Sequence, residues 1–260
     1  MNNGSISREF YIGRYIYLTK RLSELPYVVF GRRGETTTIT IYTVNPKTGK
    51  KESRQRIGKT NKDWDRYYKI ATEREIINNQ LDCIMTNWAD DYTGSLAKAS
   101  SEYMIINQAA SPFDSALWNR FVSNSSTQPN PYPVYYKSFI MRSQFEVEVA
   151  KVLDSLGLAY KYEVEMFVGG GKSVYPDMVV NLPEYNRCGF VEALGGLDNL
   201  KYVSHNTYKL KEYINGGLYP NRDIALISAD RISFPTKEMI KRSIGMMLSS
   251  IASQYVMKKS

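Results

Sequence analysis

Hydrophobic periodicity is clearest in the second half of the chain. From Arg142 to Leu156 the apolar residues Phe145, Val149, Val152, Leu153 and Leu156 fall on one stripe at helical spacing, and Gly157 follows as a natural stop. Three apolar, β-branched segments come next: Tyr160–Phe167, Ser173–Val180 and Cys188–Leu194. A helical pattern runs from about Leu200 to Ile214 and closes at Gly216-Gly217, then a short apolar strand covers Asp223–Ser228 and a last helix spans about Thr236–Val256. The expected order is helix, three strands, helix, strand, helix. The first half begins with a Tyr-rich helix over Ser7–Leu25 that ends before Pro26. Thr36–Val44 and Lys51–Gly58 form a strand pair about a turn at Asn45-Pro46-Lys47-Thr48-Gly49. A long helix from about Asp63 to Trp88 carries Trp64, Tyr67, Ala71, Ile77, Leu81, Ile84 and Trp88 along one side, a packing stripe. Residues 89–135 read as mixed helix and loop, with Ser123–Pro133 as the linker between the halves.

Polar residues that interrupt this pattern carry the chemistry. Val174-Tyr175-Pro176-Asp177 puts an acid on one strand, and Phe190-Val191-Glu192-Ala193-Leu194 puts one on the next. By alternation Tyr175, Asp177 and Val179 share a face, as do Phe190, Glu192 and Leu194. Side by side, the two strands bring Asp177 and Glu192 together at one edge of a sheet. Acids among apolar neighbours are costly without a cation or hydrogen bonds, and carboxylate oxygens are hard ligands suited to Mg²⁺. An edge charge and a strand-start Asp are the competing, purely structural explanation. Glu146 lies on the border of the first helical stripe, where it can lean toward the sheet that the helix covers.

Taken together, Arg142-Ser143-x-x-Glu146, Tyr175-Pro176-Asp177 and Glu192 resemble, in order and spacing, the PD-(D/E)xK nuclease superfamily. The resemblance covers about Tyr136 to Ser233 and extends to Tyr202, Lys209 and Tyr213, which are similar to the Tyr…Lys…Tyr stripe of a bacterial branch. It implies a restriction-endonuclease-like fold, a mixed central sheet flanked by helices, and Mg²⁺-dependent phosphodiester cleavage by an endonuclease-type hydrolase, with Mn²⁺ as the alternative ion and DNA ahead of RNA as substrate. The implied metal ligands are Asp177, Glu192 and the backbone carbonyl of Ala193, with Glu146 as a further catalytic acid. One position departs from the family. The usual lysine, two residues after the glutamate, is here Leu194. Lys209 on the next helix is the candidate replacement, with Lys172 second. A catalytically inactive nucleic-acid-binding or assembly protein on the same fold is the alternative that Leu194 keeps open.

A competing motif fails. Gly169-Gly170-Gly171-Lys172-Ser173 has the end of a phosphate-binding P-loop, but Met166 stands where its first glycine belongs, and Pro176 with the following valines argues for strand where a helix is required. A glycine hairpin turn is the better reading.

Composition and charge then narrow the class. The 260 residues suffice for one good core and as many as two domains, taken here as 1–135 and 136–260. No apolar run reaches membrane-spanning length, and the polar start lacks the pattern of a secretion signal, so a cytoplasmic protein without a membrane partner is expected. Cys83 and Cys188 are too few for a disulfide framework, and His205, the single histidine, makes a histidine-based triad improbable. The net charge of +8 is uneven: residues 1–70 hold 15 Lys or Arg against 6 Asp or Glu. That asymmetry points to a polyanion, nucleic acid above all. Arg32, Arg33, Lys47, Lys50, Lys51, Arg54, Arg56 and Lys59 make a basic two-stranded ribbon of the kind that enters a DNA major groove, against the alternative of a hairpin edge protected by charge. Oligomeric state stays open, a homodimer among the options.

Overall fold

The protein is described by a computed structural model covering residues 6–45, 47–106, 113–126, 130–168, 172–229 and 233–259. It is a mixed α/β structure built, in chain order, from α1 (Arg8–Glu24), β1 (Tyr27–Arg33), β2 (Thr36–Val44), β3 (Lys51–Ile57), α2 (Trp64–Asp91), α3 (Leu96–Ser101), β4 (Tyr103–Ile105), α4 (Ser115–Arg120), β5 (Val134–Tyr136), β6 (Phe139–Met141), α5 (Gln144–Ser155), β7 (Tyr160–Tyr162), β8 (Met166–Val168), β9 (Lys172–Val174), β10 (Met178–Leu182), β11 (Arg187–Leu194), α6 (Leu200–Asn215), β12 (Ile224–Ser228), α7 (Lys237–Ser253) and β13 (Val256–Lys258).

The central sheet has the order β12-β11-β10-β7. β7 and β11 both run antiparallel to β10, while β12 lies parallel to β11 and is reached through α6. Alternation divides its side chains between two layers. Met178, Val180, Leu182, Val191, Ala225 and Ile227 pack against α5, α7 and α1. Val179, Cys188, Phe190 and Ile224 pack on the other side with Tyr213 of α6. A sheet covered on both faces explains why β10 and β11 read as nearly continuous apolar runs.

Two expected strands are each broken in two. Tyr160–Phe167 divides into β7 and β8, and Ser173–Val180 into β9 and β10. The breaks face each other: Pro176, with no N–H to give a ladder, sits opposite a turn in which Glu163 takes a left-handed conformation, φ 42°. The β8–β9 ribbon therefore leaves the main sheet and folds against α6, with Lys172 Nζ donating to Glu212 Oε1 at 3.0 Å. Its Gly169–Gly171 tip lies outside the described residues.

The helix termini follow sequence signals. Ser143 caps α5 by accepting from the Glu146 N–H. At its other end Gly157, φ 66°, lets Leu158 N–H return to the Leu153 carbonyl, and a Cβ there would stand 3.0 Å from Cys83 Cβ on α2. That close approach brings the long N-terminal helix onto the second half.

The N-terminal half corrects the ribbon. β1 adds a third strand, giving an antiparallel sheet β1-β2-β3 whose Val28, Ile39 and Ile57 pack on Trp64 and Ala71 of α2. The apolar Tyr27–Phe30 segment directly after Pro26 was the missed signal. Residues 123–126 are no loose linker: Asn124 and Ser125 N–H groups donate to the Tyr162 and Glu163 carbonyls beside β7. β4 and the terminal β13, neither expected from the sequence, pair with each other.

The halves are joined by a buried ion pair. Arg14 Nη1 of α1 lies 3.0 Å from both carboxylate oxygens of Glu184, in the turn between β10 and β11, and its Nη2 donates to the Gly157 carbonyl. Both side chains are almost fully buried. Replacing Arg14 by Met should destabilise the protein by about 3–5 kcal/mol in urea unfolding, because Glu184 is left as an unpaired buried charge; adding Glu184→Leu should recover most of the loss. A double variant no more stable than Arg14→Met would show that packing of the guanidinium, not its charge, is what matters.

Candidate metal and phosphate site

The ladder between β10 and β11 pairs Met178 with Val191 and Val179 with Phe190. One step beyond it stand Asp177 and Glu192, both on the side of the sheet that α6 covers. Asp177 Oδ2 accepts the Ala193 N–H at 2.8 Å, which continues the ladder through a side chain. Glu192 is buried, with Phe190 and Val191 before it and Ala193 and Leu194 after it in the strand. Its oxygens are answered from α6: Lys209 Nζ donates to Oε2 at 2.7 Å, and the Tyr213 hydroxyl donates to Oε1. Lys209 Nζ also lies 3.6 Å from Asp177 Oδ1. Positions 209 and 213 are one helical turn apart, so a single face of α6 supplies both groups.

Glu146 reaches the sheet from α5, on its opposite side. Its Oε2 accepts from the Tyr162 hydroxyl at 2.7 Å and from the Arg142 N–H at 2.9 Å. Arg142 continues outward, with its guanidinium on Glu163 and on Ser126 Oγ. The Arg142–Tyr162–Glu163 group was not legible beforehand, since it depends on the bend after β7.

Electrostatics mark the acids as strained. Burial first, and Asp177 second, raise the Glu192 carboxyl to about 8, against the lowering influence of Lys209 and Tyr213. Burial and then Asp177 raise Glu146 to about 7. Burial works against the Lys209 ammonium, but Asp177, Glu192 and the hydrogen bond to Glu192 outweigh it and raise its pKa. Both glutamates thus hold their protons more tightly than a free carboxyl does, and a further cation beside them would oppose that.

For a metal ion the donor set is apt in kind and sparse in number. Asp177, Glu192 and the Ala193 carbonyl are hard oxygens, and Mg²⁺ commonly takes one or two carboxylates and fills its remaining positions with water and phosphate. Among the described residues no group of three or more His, Cys, Asp or Glu side chains stands close enough together to hold an ion. Glu146 Oε2 is engaged by Tyr162 and Arg142, and the Ala193 carbonyl already accepts from Gly195 N–H at 3.0 Å, with one lone pair left.

The remaining candidates are distributed as follows. Lys172 is held by Glu212, away from the acid pair. Tyr202 is exposed, and of its stripe Lys209 and Tyr213 reach the acids. Arg54 and Arg56 are paired with Tyr42 and Thr40 on the sheet face opposite to Ile39 and Ile57, and Lys51 Nζ lies over the Tyr27 and Tyr42 rings at 4.3 and 4.7 Å. Arg32 falls on the opposite face by alternation with Phe30. Lys47, Lys50 and Lys59 are exposed around the turns, and the Arg33 side chain and Pro46 lie outside the described residues. No described helix is long and apolar enough to cross a membrane. Compared with known protein families, with curated proteins and with solved structures, the chain matches none.

The raised carboxyls make stability depend on pH. Groups that bind protons more tightly when folded contribute fully below their unfolded value of 4.5 and lose that contribution as pH rises through about 7 and about 8. In EDTA, the urea midpoint should therefore fall as pH rises from about 5 to about 8, and Glu146→Gln with Glu192→Gln should flatten the profile. A midpoint rising across that range would contradict the assigned directions.

Proposed function

We propose that the protein is a metal-dependent nuclease of restriction-endonuclease-like fold that hydrolyses phosphodiester bonds, in DNA ahead of RNA. The observation that carries this reading is Lys209: its ammonium, delivered from α6, lies 2.7 Å from Glu192 and 3.6 Å from Asp177, in a chain whose strand position for a cation is Leu194. Support also comes from the order α5, β7, β10, β11, α6, β12, with Asp177 and Glu192 on adjacent strands.

Asp177, Glu192 and the Ala193 carbonyl would hold a Mg²⁺ or Mn²⁺ ion, which supplies charge to a phosphate and acidifies a bound water. Lys209 places a second positive charge where negative charge develops on the phosphate. Tyr213 fixes the orientation of the Glu192 carboxylate by holding Oε1. The exposed Lys51, Arg54 and Arg56 face suits contacts to the nucleic-acid backbone, which position the protein on a strand.

A non-catalytic binding role is favoured by one observation: the Lys209 ammonium is already paired with both acids. Cleavage separates the two readings. With plasmid and oligonucleotides in Mg²⁺ or Mn²⁺, the wild-type chain should cut, while Asp177→Asn and Glu192→Gln should lower the rate by about 100-fold or more at unchanged affinity, the scale on which a lost charge-stabilising group acts. Lys209→Met should act likewise, and a Leu194→Lys, Lys209→Met chain should regain part of the rate. Wild-type protein that binds but cuts neither DNA nor RNA in any divalent metal would establish the binding role.

Charge on the N-terminal sheet makes a separate prediction. Substituting Lys51, Arg54 and Arg56 together by Gln should lower the slope of log K against log [salt] by about 2.7 for duplex DNA if each side chain meets one phosphate. Cleavage at saturating substrate should change little. An unchanged slope would make the face a charged surface without a nucleic-acid role.

A further inference from the structure

Beside the acid pair, between β11, β12 and α6, lies a cavity of about 190 Å³. Leu194, Leu197, Val203, Leu210 and Leu226 give it an apolar lining, and it is bounded also by Glu192 and Lys209. These apolar side chains are only partly covered, Leu197 being 38% exposed. Open apolar surface in contact with a charged site favours a ligand that is apolar over much of its area. The cavity is smaller than the roughly 300–1,000 Å³ of pockets for drug-sized ligands, so its occupant is a single ring system. Asn206 lines it as well; its Nδ2 is buried beneath the lining with no acceptor among the described residues, and a turn of the side chain toward the cavity brings it within reach of a ligand. A buried amide donor without an acceptor is costly, and an acceptor on the edge of a bound ring relieves that cost.

A flat group with apolar faces and an acceptor on its edge, tethered next to a phosphate, is a nucleobase. We propose that the cavity receives one unstacked nucleobase of the strand whose phosphate lies at Asp177 and Glu192, a proposal that rests on the nuclease reading. Leu194 then has a role of its own as a wall of the base pocket, and the cation is supplied from α6. An extruded base is held through apolar contact on its faces and hydrogen bonds on its edge, the combination that the leucines and Asn206 offer.

Binding of DNA duplexes in EDTA, followed by fluorescence anisotropy, tests this. The duplexes carry one bulged adenosine, the same bulge as an abasic site, or no bulge. The full-length wild-type chain should bind the bulged adenosine about tenfold more tightly than the abasic bulge, the lower range of what one stacked base contributes. Thr207→Trp places an indole in the cavity from the exposed side of α6, and Asn206→Leu removes the donor while keeping the volume. Each should bring the ratio down to about twofold or less, with affinity for the unbulged duplex retained. Equal wild-type affinity for adenosine and abasic bulges overturns the base pocket and leaves the nuclease reading intact. Failure to bind any of the duplexes overturns the base pocket as well, and the nuclease reading is then decided by the cleavage assay alone. A ratio that survives both substitutions places the base elsewhere and overturns the proposal.

Discussion

Burial of Glu192 is the constraint around which the second half of the chain is organised. A carboxyl 2% exposed in a central strand is tolerated only where its oxygens are hydrogen-bonded. Lys209 and Tyr213 meet that requirement from one face of α6, which fixes both the rotation of the helix and its position across the sheet. The parallel step from β11 to β12 then follows, since a helix crossing the sheet at that point returns the chain beside the strand it left. The apolar stripe of α6 alone would permit the helix to slide or turn; the two polar contacts do not.

A second set of constraints acts from the opposite side. α5 presents Glu146 to Tyr162 and the backbone of Arg142, so the strand that carries Tyr162 is locked at the sheet edge. There the chain bends at Glu163 and again at Pro176, and the bend leaves Asp177 partly exposed while Glu192 and most of β10 and β11 stay covered. A regular hairpin continuing past Pro176 would have extended the sheet over this end. The break in the ladder and the partial exposure of Asp177 thus have one cause. On the N-terminal side, Arg14 reaches both the turn after β10 and the end of α5, so α1 braces the connection that sets the register of the two acid-bearing strands.

Much of this was legible from the sequence, because the signals are local. The Phe145–Leu156 stripe, the Gly157 stop, the Gly216-Gly217 stop and the alternation that puts Asp177 with Val179 and Glu192 with Phe190 are consequences of periods 3.6 and 2. The proximity of Lys209 to the acids was anticipated from the resemblance alone, since spacing by itself favours a solvated helical lysine. What escaped has nonlocal causes. β4 and β13 exist only because residues more than 150 positions apart pair with each other. β1 was passed over although Tyr27–Phe30 is apolar, and with it the third strand of the basic sheet. The breaks at Glu163 and Pro176 are visible as a proline, but the matching turn on the neighbouring strand is not.

Glu192 and Leu194 point to the same side of β11, and so a strand-borne lysine at 194 and a helix-borne lysine at 209 would approach the acids from different directions. From the strand, the ammonium would lie along the sheet edge. From α6, it comes down onto Asp177 and Glu192 and is left 15% exposed. Moving the charge to the helix removes any need for a polar group at 194, and the leucine there joins Leu210 and Leu226 in one apolar surface. Leu194 is therefore tied to two features at once: a cation brought to the acids from α6, and an apolar recess beside the same acid pair. Neither follows from the motif, and both follow from the way Glu192 draws α6 onto the sheet.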